Sequence, residues 1–272
     1  MNQTTFPVII LAGGQASPAD PLYDYTQGQP KALLEIAGQP MLAWVATALQ
    51  SSALTGETLV VGLPPGVHLH TPRPLHFLAD QGSLIGNALA GLRWANERAQ
   101  EAAHGAAHGA AHGAAHAILS TADIPLLTPQ ILDQFLARCQ PLDKALYYPI
   151  VSRQSMEARF PGSQRTYSRL VDGEFAGGDL VLADTRLVHT NVALWQTLAA
   201  ARKYPWKMAR IIGFSILLKF LFRRLRIADV EQKAARLIGL PVAAVPFDRA
   251  EIAMDADKPH QFDTLRQILA SR

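Results

Sequence analysis

The residues Phe6 to Ala12 read FPVIILA and run straight into Gly13-Gly14. The run has strand length and no polar side, so both of its faces must be covered. That is the condition of a strand inside a parallel sheet, with a layer packed above and another below. The glycine pair predicts a tight loop at the strand's carboxyl end, where main chain can come close to a ligand. Parallel strands need crossover connections, so this opening restricts the chain to α/β architectures.

The rest of the first half supplies those crossovers. QPMLAWVATALQ from Gln39 predicts a helix, with Pro40 in its first turn and Met41, Trp44, Val45, Ala48 and Leu49 at helical spacing. ETLVVG from Glu57 and LHFLA from Leu75 predict short strands, bounded by LPPG and TPRP. SLIGNALAGLRWANERAQ from Ser83 predicts a helix, and AHAILSTAD from Ala115 contains a strand that stops at Asp123. PQILDQFLARC predicts a helix capped by Thr128 with Pro129 as its first residue. Near the end, AAV and EIAMDAD read as short strands, and PHQFDTLRQIL from Pro259 as an amphipathic helix with Phe262, Leu265, Ile268 and Leu269 on one side. The expected fold is a three-layer α/β/α sandwich around a mostly parallel central sheet, in a single domain spanning 1–272.

Hydrophobic residues at 49% and charged residues at 17% describe a packed domain. A net charge of +3 gives little support to a nucleic-acid partner. The one cysteine, Cys139, excludes an internal disulfide and reads as a small buried thiol in a protein of a reducing compartment. MNQTTFPVIILAGG has no charged region before its apolar run, and the run is too short to span a bilayer, so the expected location is cytoplasmic.

Two segments stand apart. Residues 102–116 form a low-complexity His/Ala/Gly loop that places His104, His108, His112 and His116 four apart. On a helix they would share a face and could bind a divalent metal. Glycine at every fourth position weakens such a helix by about 1 kcal/mol each, which favours an expanded surface loop. The second segment, 151–239, is expected as an acceptor-side insert, irregular and cationic at first (Arg153, Arg159, Arg165, Arg169) with a Gly-Gly in EFAGGDLVLA. It continues into a helical stretch with eight basic and no acidic residues between Arg202 and Arg226. The apolar part, Ile211 to Phe222, is interrupted by Lys219 and is too short to cross a bilayer. It reads either as a core-packed helix with snorkelling basic ends or as a peripheral contact with an anionic membrane or a lipid-linked substrate.

The glycine turn is neither G-x-G-x-x-G nor G-x-x-x-x-G-K-[ST], which disfavours a dinucleotide Rossmann site and a Walker P-loop. Its company is more specific. LAGG, then PKALLEIAGQPML, then the aspartate of STADIPLLT, then MDADKPHQFDTL, in this order, resembles the MobA-like NTP transferases. These belong to a superfamily that joins nucleoside triphosphates to phosphorylated acceptors such as sugar 1-phosphates, molybdopterin or cobinamide phosphate. The resemblance covers most of 6–150 and 240–270. It implies a Rossmann-like, GT-A-like nucleotidyltransferase fold, with Leu11, Ala12, Gly13 and Gly14 as the nucleotide loop. It also implies that Lys31 supports the phosphates, that Asp123 holds Mg²⁺, and that Asp255 or Asp257 gives the second metal contact. Gln81, Gly82 and Asn87 are implied at the base and ribose. The family's loop carries an arginine soon after the glycines, whereas QASPADPLYDYTQGQP has none and holds Asp20 and Asp24 instead. Either Arg153, Arg159 or Arg165 supplies that charge in space, or the triphosphate is held differently.

The function so implied is Mg²⁺-dependent transfer of a nucleoside monophosphate from an NTP to a phosphorylated small-molecule or lipid-linked acceptor, with release of pyrophosphate. In-line attack of one phosphate on another brings anions together, so a metal and a lysine screen the repulsion and no protein nucleophile is required. One alternative is a cofactor-pathway guanylyltransferase of the cobinamide-phosphate or molybdenum-cofactor type, the latter ill suited by the long basic insert. Another is a catalytically silent nucleotide-binding, membrane-peripheral protein.

Overall fold

In the computed structural model, residues 5–14, 17–105, 116–190, 194, 195, 197, 211 and 213–271 are described. The apolar run forms β1 (Phe6–Leu11), and its position explains its composition: β4 (Thr55–Val61) pairs with it on one side and β6 (His116–Thr121) on the other, both parallel. Val8 and Ile10 point into one core, with Leu42, Leu49, Ile118 and Phe135, while Ile9 points into the other with Leu59, Val61, Leu92 and Ala117. Successive side chains of a strand alternate between faces, so a central strand with two buried faces must be apolar throughout.

Two short strands, β2 (Glu35–Ile36) and β3 (Gln39–Pro40), form a separate ribbon after the one-turn helix α1 (Tyr23–Thr26). β5 (Leu75–Leu78) adds to β4 in parallel. The crossovers are α2 (Met41–Gln50), α3 (Leu84–Gly105) and α4 (Pro129–Arg138). Thr128 caps α4 by accepting the Ile131 N–H at 3.3 Å. Gly91 lets α3 lie directly on β1, since a Cβ there would come 2.4 Å from Ile9 Cγ2.

The second half joins the sheet in the opposite sense. β10 (Leu180–Asp184) pairs antiparallel with β6 and with Leu146 and Tyr147 of β7 (Leu146–Ser152). Beyond that point β7 changes partner and pairs from Ile150 to Ser152 with β9 (Gly173–Gly177), to which β8 (Ser168–Leu170) adds. β11 (Val242–Pro246) lies parallel to β7 on its other edge. Among the described residues the result is a nine-stranded mixed sheet, parallel through its first half, between layers of helix. α5 (Arg153–Arg159), α6 (Phe214–Leu221), α7 (Ile227–Ile238) and α8 (Pro259–Ala270) complete the described helices.

Several expectations change. The helix expected from Gln39 starts at Met41, because Gln39 and Pro40 belong to the ribbon. The turn-rich stretch after residue 151 holds a regular helix, α5, whose cap is Ser152, its hydroxyl accepting the Ser155 N–H at 3.0 Å. EIAMDAD is not a strand: Ala250–Ala253 is a 3₁₀ turn, followed by irregular chain that crosses strand ends. In the His/Ala/Gly repeat, α3 continues to Gly105 and β6 begins at His116, whose buried Nε2 lies 2.8 Å from the Lys144 carbonyl. His108 and His112 lie outside the described residues, as does the basic run before Ile211. Among the described residues, no helix is long and apolar enough to cross a membrane.

Cys139 is fully buried at the end of α4, and burial pushes its thiol up to about 12. The thiolate is the reactive form, so almost none is present at pH 8 in the folded protein, whereas an unfolded cysteine ionises near pH 8.5. Iodoacetamide at pH 8 should therefore leave the native thiol unmodified over a period in which the urea-unfolded chain is fully alkylated. Rapid labelling of the native protein would show that this end of α4 opens.

Candidate active site

β1 and β6 end side by side, and the chain beyond each turns into a cavity of about 360 Å³. Ligands of open α/β sheets bind at this edge, outside the carboxyl ends of the strands. The loop after β1 is fixed by its neighbours: Ala12 N–H donates to the Val61 carbonyl at 2.8 Å, and Ala122 N–H donates to the Leu11 carbonyl at 3.1 Å. Gly13 is required by close approach from two sides. A Cβ on it would meet Asn87 Nδ2 at 2.2 Å, and a Cβ on Gly62 would meet Gly13 N at 2.1 Å. Gly14 has φ of 102°, a left-handed conformation, and faces open space.

Across the cavity, the loop before α3 is pinned from within. The Gln81 N–H donates to Asn87 Oδ1 at 2.7 Å, while Asn87 Nδ2 donates to Asp80 Oδ1 at 2.8 Å. Asn87 is buried, so it positions this loop as well as bordering the cavity.

The floor is a cluster of charge. Lys31 stands in a 3₁₀ turn after Pro30 and reaches both Asp123 and Asp257, the latter at 2.5 Å. Arg165 pairs with Asp255, lies 3.8 Å from Asp179, and donates to the Gly177 carbonyl at 3.4 Å. The backbone holds these groups together: Asp179 N–H donates to the Ile252 carbonyl at 2.8 Å, and Ala256 N–H donates to the Asp123 carbonyl at 3.0 Å. In the irregular chain at 254–258, Ala256 N–H goes to the Asp123 carbonyl and Asp257 N–H to the Gln261 side chain at 3.2 Å, so neither is left for a ladder.

The cluster is electrostatically unbalanced, with four carboxylates against two cations. Burial, reinforced by Asp123 and Asp255, holds Asp179 well above the usual carboxylate range. Burial likewise pushes Asp255 up to about 6 against the pull of Arg165. Asp257 goes the other way: although burial opposes ionisation, Lys31 holds its carboxyl below the usual value. Burial also works against the Lys31 charge, but Asp123 and Asp257 outweigh it and raise the ammonium's pKa. Asp123 Oδ1 and Asp179 Oδ2 are buried with no hydrogen-bond partner among the described residues.

The structure thus brings Leu11, Ala12, Gly13, Gly14, Lys31, Gly82, Asn87, Asp123, Asp255 and Asp257 to one cavity. Gln81 is not in the lining; its exposed side chain donates to the Ala79 carbonyl at 2.8 Å. Of the three arginines considered for the missing loop charge, only Arg165 reaches the cluster. Arg153 pairs with Glu174 at 2.8 Å and Arg159 with Glu251 at 3.4 Å. Asp20 accepts the Leu22 N–H at 2.8 Å within its own turn, and Asp24 is exposed. Two further residues of the lining, Asp80 and Asp179, are not among those expected from the sequence. For Asp179 the pointer was the AGGD motif, since Gly177 and Gly178 are where β7 changes partner. Among the described residues, no three carboxylates, thiolates or imidazoles form a ready-made metal cage.

Comparison with curated proteins gives no match. Among solved structures, a hypothetical transferase from Thermus thermophilus is 33% identical with a TM-score of 0.77, covering 95% of this chain and 99% of that one. More distant likeness, in fold alone, extends to 2-C-methyl-D-erythritol 4-phosphate cytidylyltransferase from the same organism (16% identity, TM-score 0.52, 97% and 98% covered). It extends also to CMP:2-keto-3-deoxy-manno-octonic acid synthetase in complex with CTP (13% identity, TM-score 0.51, 98% and 99% covered). Residues 8–210 match the MobA-like NTP transferase domain, so the chain belongs to that nucleotidyltransferase family.

Proposed function

We propose that the chain transfers a nucleoside monophosphate from an NTP to a phosphorylated acceptor. The observation that supports this most is the convergence of the glycine turn, Lys31 and Asp123 on one cavity. A phosphate oxygen of the acceptor attacks the α-phosphorus and forms the new P–O bond. The bond to the β-phosphate breaks, and its electron pair leaves with pyrophosphate. Main-chain N–H groups around Gly13 and Gly14 receive the triphosphate, and Lys31 neutralises the negative charge that grows on the leaving group.

Mg²⁺ suits the donors, which are all oxygen, and the excess of carboxylate over cation is relieved by a divalent ion. Mg²⁺ commonly takes one or two carboxylates plus substrate oxygens and needs no full protein cage. Asp123 supplies a buried oxygen without a partner, and Asp257 supplies an ionised carboxylate. Both candidates for the second contact are ion-paired, Asp257 with Lys31 and Asp255 with Arg165; Asp257 suits it better because its side chain is 57% exposed, against 10% for Asp255. When bound, the ion offsets phosphate charge during transfer.

Pyrophosphate release with the four common NTPs and a panel of phosphorylated acceptors tests the reading. Lys31→Ala should lower kcat/KM by about 100-fold, the scale of losing one charge-stabilising donor. Full turnover in that variant would remove Lys31 from the chemistry. Nucleotide binding with no pyrophosphate release under any combination would leave a silent nucleotide-binding protein.

A second proposal concerns the basic helix. None of the α6 residues is buried; Phe214 is 75% exposed, Leu221 72% and Phe222 66%, and Arg223, Arg224 and Arg226 beside them are exposed. An apolar face rimmed by arginine suits peripheral contact with an anionic membrane. In flotation with phosphatidylserine-containing vesicles, replacing Phe214, Leu221 and Phe222 by serine should abolish co-migration; unchanged partitioning would end the idea.

A further inference from the structure

A second cavity of about 270 Å³ opens beside the charged one, and the two share Leu11, Leu84, Thr121 and Asp179 in their walls. It lies between α3 and the face of the sheet formed by β6, β10 and β7. Its chemistry differs from that of its neighbour. Leu89, Leu92, Leu119, Val181, Leu187 and Trp195 make its walls, and Asp179, at the shared mouth, is the sole charged residue among the described lining. The Ser120 hydroxyl is spent on the Thr121 carbonyl at 3.0 Å, and Trp195 Nε1 donates to the Leu187 carbonyl at 3.2 Å.

We infer that this cavity is the acceptor subsite, and that it takes the hydrocarbon part of an alkyl or prenyl monophosphate whose phosphate stays in the polar cleft. The inference rests on the transferase reading above and assigns it a substrate class. The lining's unspent polar atoms lie toward the charged cleft: Thr121 Oγ1 and Asp179 Oδ2 belong to the shared wall, and the Tyr148 hydroxyl lies against Gly177, next to Gly178 and Asp179. A sugar or other polyol seated deeper, among Leu89, Leu92, Leu119, Val181 and Leu187, would give up water at its hydroxyls and meet apolar side chains in return, which is costly. A hydrocarbon loses nothing of the kind and gains from leaving water. The shared wall at Thr121 and Leu84 is the continuity that allows one molecule to occupy both spaces. Leu84, large, apolar and 58% exposed, stands at that junction.

Calorimetric titration of the full chain with ethyl, butyl, hexyl and octyl phosphate, each below its micellar concentration, reads the cavity without needing turnover. Binding should tighten by about fourfold per methylene until the space is full. Ala88→Phe places a ring in the cavity and should erase the chain-length dependence while leaving NTP-induced thermal stabilisation intact. If that variant does not fold, Val181→Thr, which puts a hydroxyl in the wall, should flatten the dependence by several-fold. Equal affinity for ethyl and octyl phosphate, or a dependence that both variants keep, overturns the inference. So does a turnover preference for glucose 1-phosphate over octyl phosphate, an outcome that leaves the transferase reading standing. Chain-length-dependent binding that Ala88→Phe abolishes, with no pyrophosphate released from any NTP, would uphold the subsite and remove the transferase reading instead.

Discussion

Asp123→Asn is expected to reduce pyrophosphate release by about 1,000-fold or more while moving the melting temperature by only a few degrees. The carboxylate has two separable tasks. One oxygen pairs with Lys31, and the other is buried in the cavity wall with no hydrogen-bond partner among the described residues. Asparagine keeps the shape and removes the charge, so Lys31 still has Asp257 as its counter-ion. The main-chain carbonyl of residue 123 continues to accept the Ala256 N–H, so the lacing of strand ends survives the substitution. Folding therefore loses little, whereas the charge that the proposed mechanism assigns to metal binding is lost entirely. Kinetics over a Mg²⁺ series, paired with a thermal melt, would check both halves. Retention of more than a tenth of the turnover would place the metal-binding carboxylate elsewhere.

Legibility in the sequence follows a physical pattern. β1, α4 and α8 are legible because their information is local: an unbroken apolar run, a Thr-Pro start, an apolar stripe at helical spacing. Gly13, Lys31 and Asp123 are legible as a set because each sits at an element end in the order the family resemblance implies. The segment at 250–257 misleads because apolar alternation reads as a strand, while its actual hydrogen bonds go to Asp123 and Asp179, residues far away in sequence. Asp179 and Arg165 are only half legible for the same reason: AGGD marks a bend and Arg165 is one of three candidate arginines, but neither pattern fixes a place in the fold. Nothing in their spacing says that β7 exchanges β10 for β9 at Gly178, and it is this exchange that turns Asp179 into the cavity. The loop arginine absent after Gly14 is a related case. A guanidinium does stand in the cluster, but it arrives from residue 165 and faces aspartates first.

Arg165→Met should cost about 3–5 kcal/mol of stability, the scale of leaving a buried charge without its partner. The melting temperature would fall by about 10 °C in a chain of this size. Arg165 is largely buried, and so is the Asp255 side chain it pairs with; Asp179 stands 3.8 Å from the same guanidinium. Methionine fills much of the space but leaves both carboxylates without a cation. The companion double variant, Arg165→Met with Asp255→Asn, separates charge from packing, because it removes the stranded carboxylate while keeping the altered shape. It should recover most of the lost stability. Equal destabilisation in the single and double variants would mean that Arg165 acts through packing and that its pairing with Asp255 contributes little to folding.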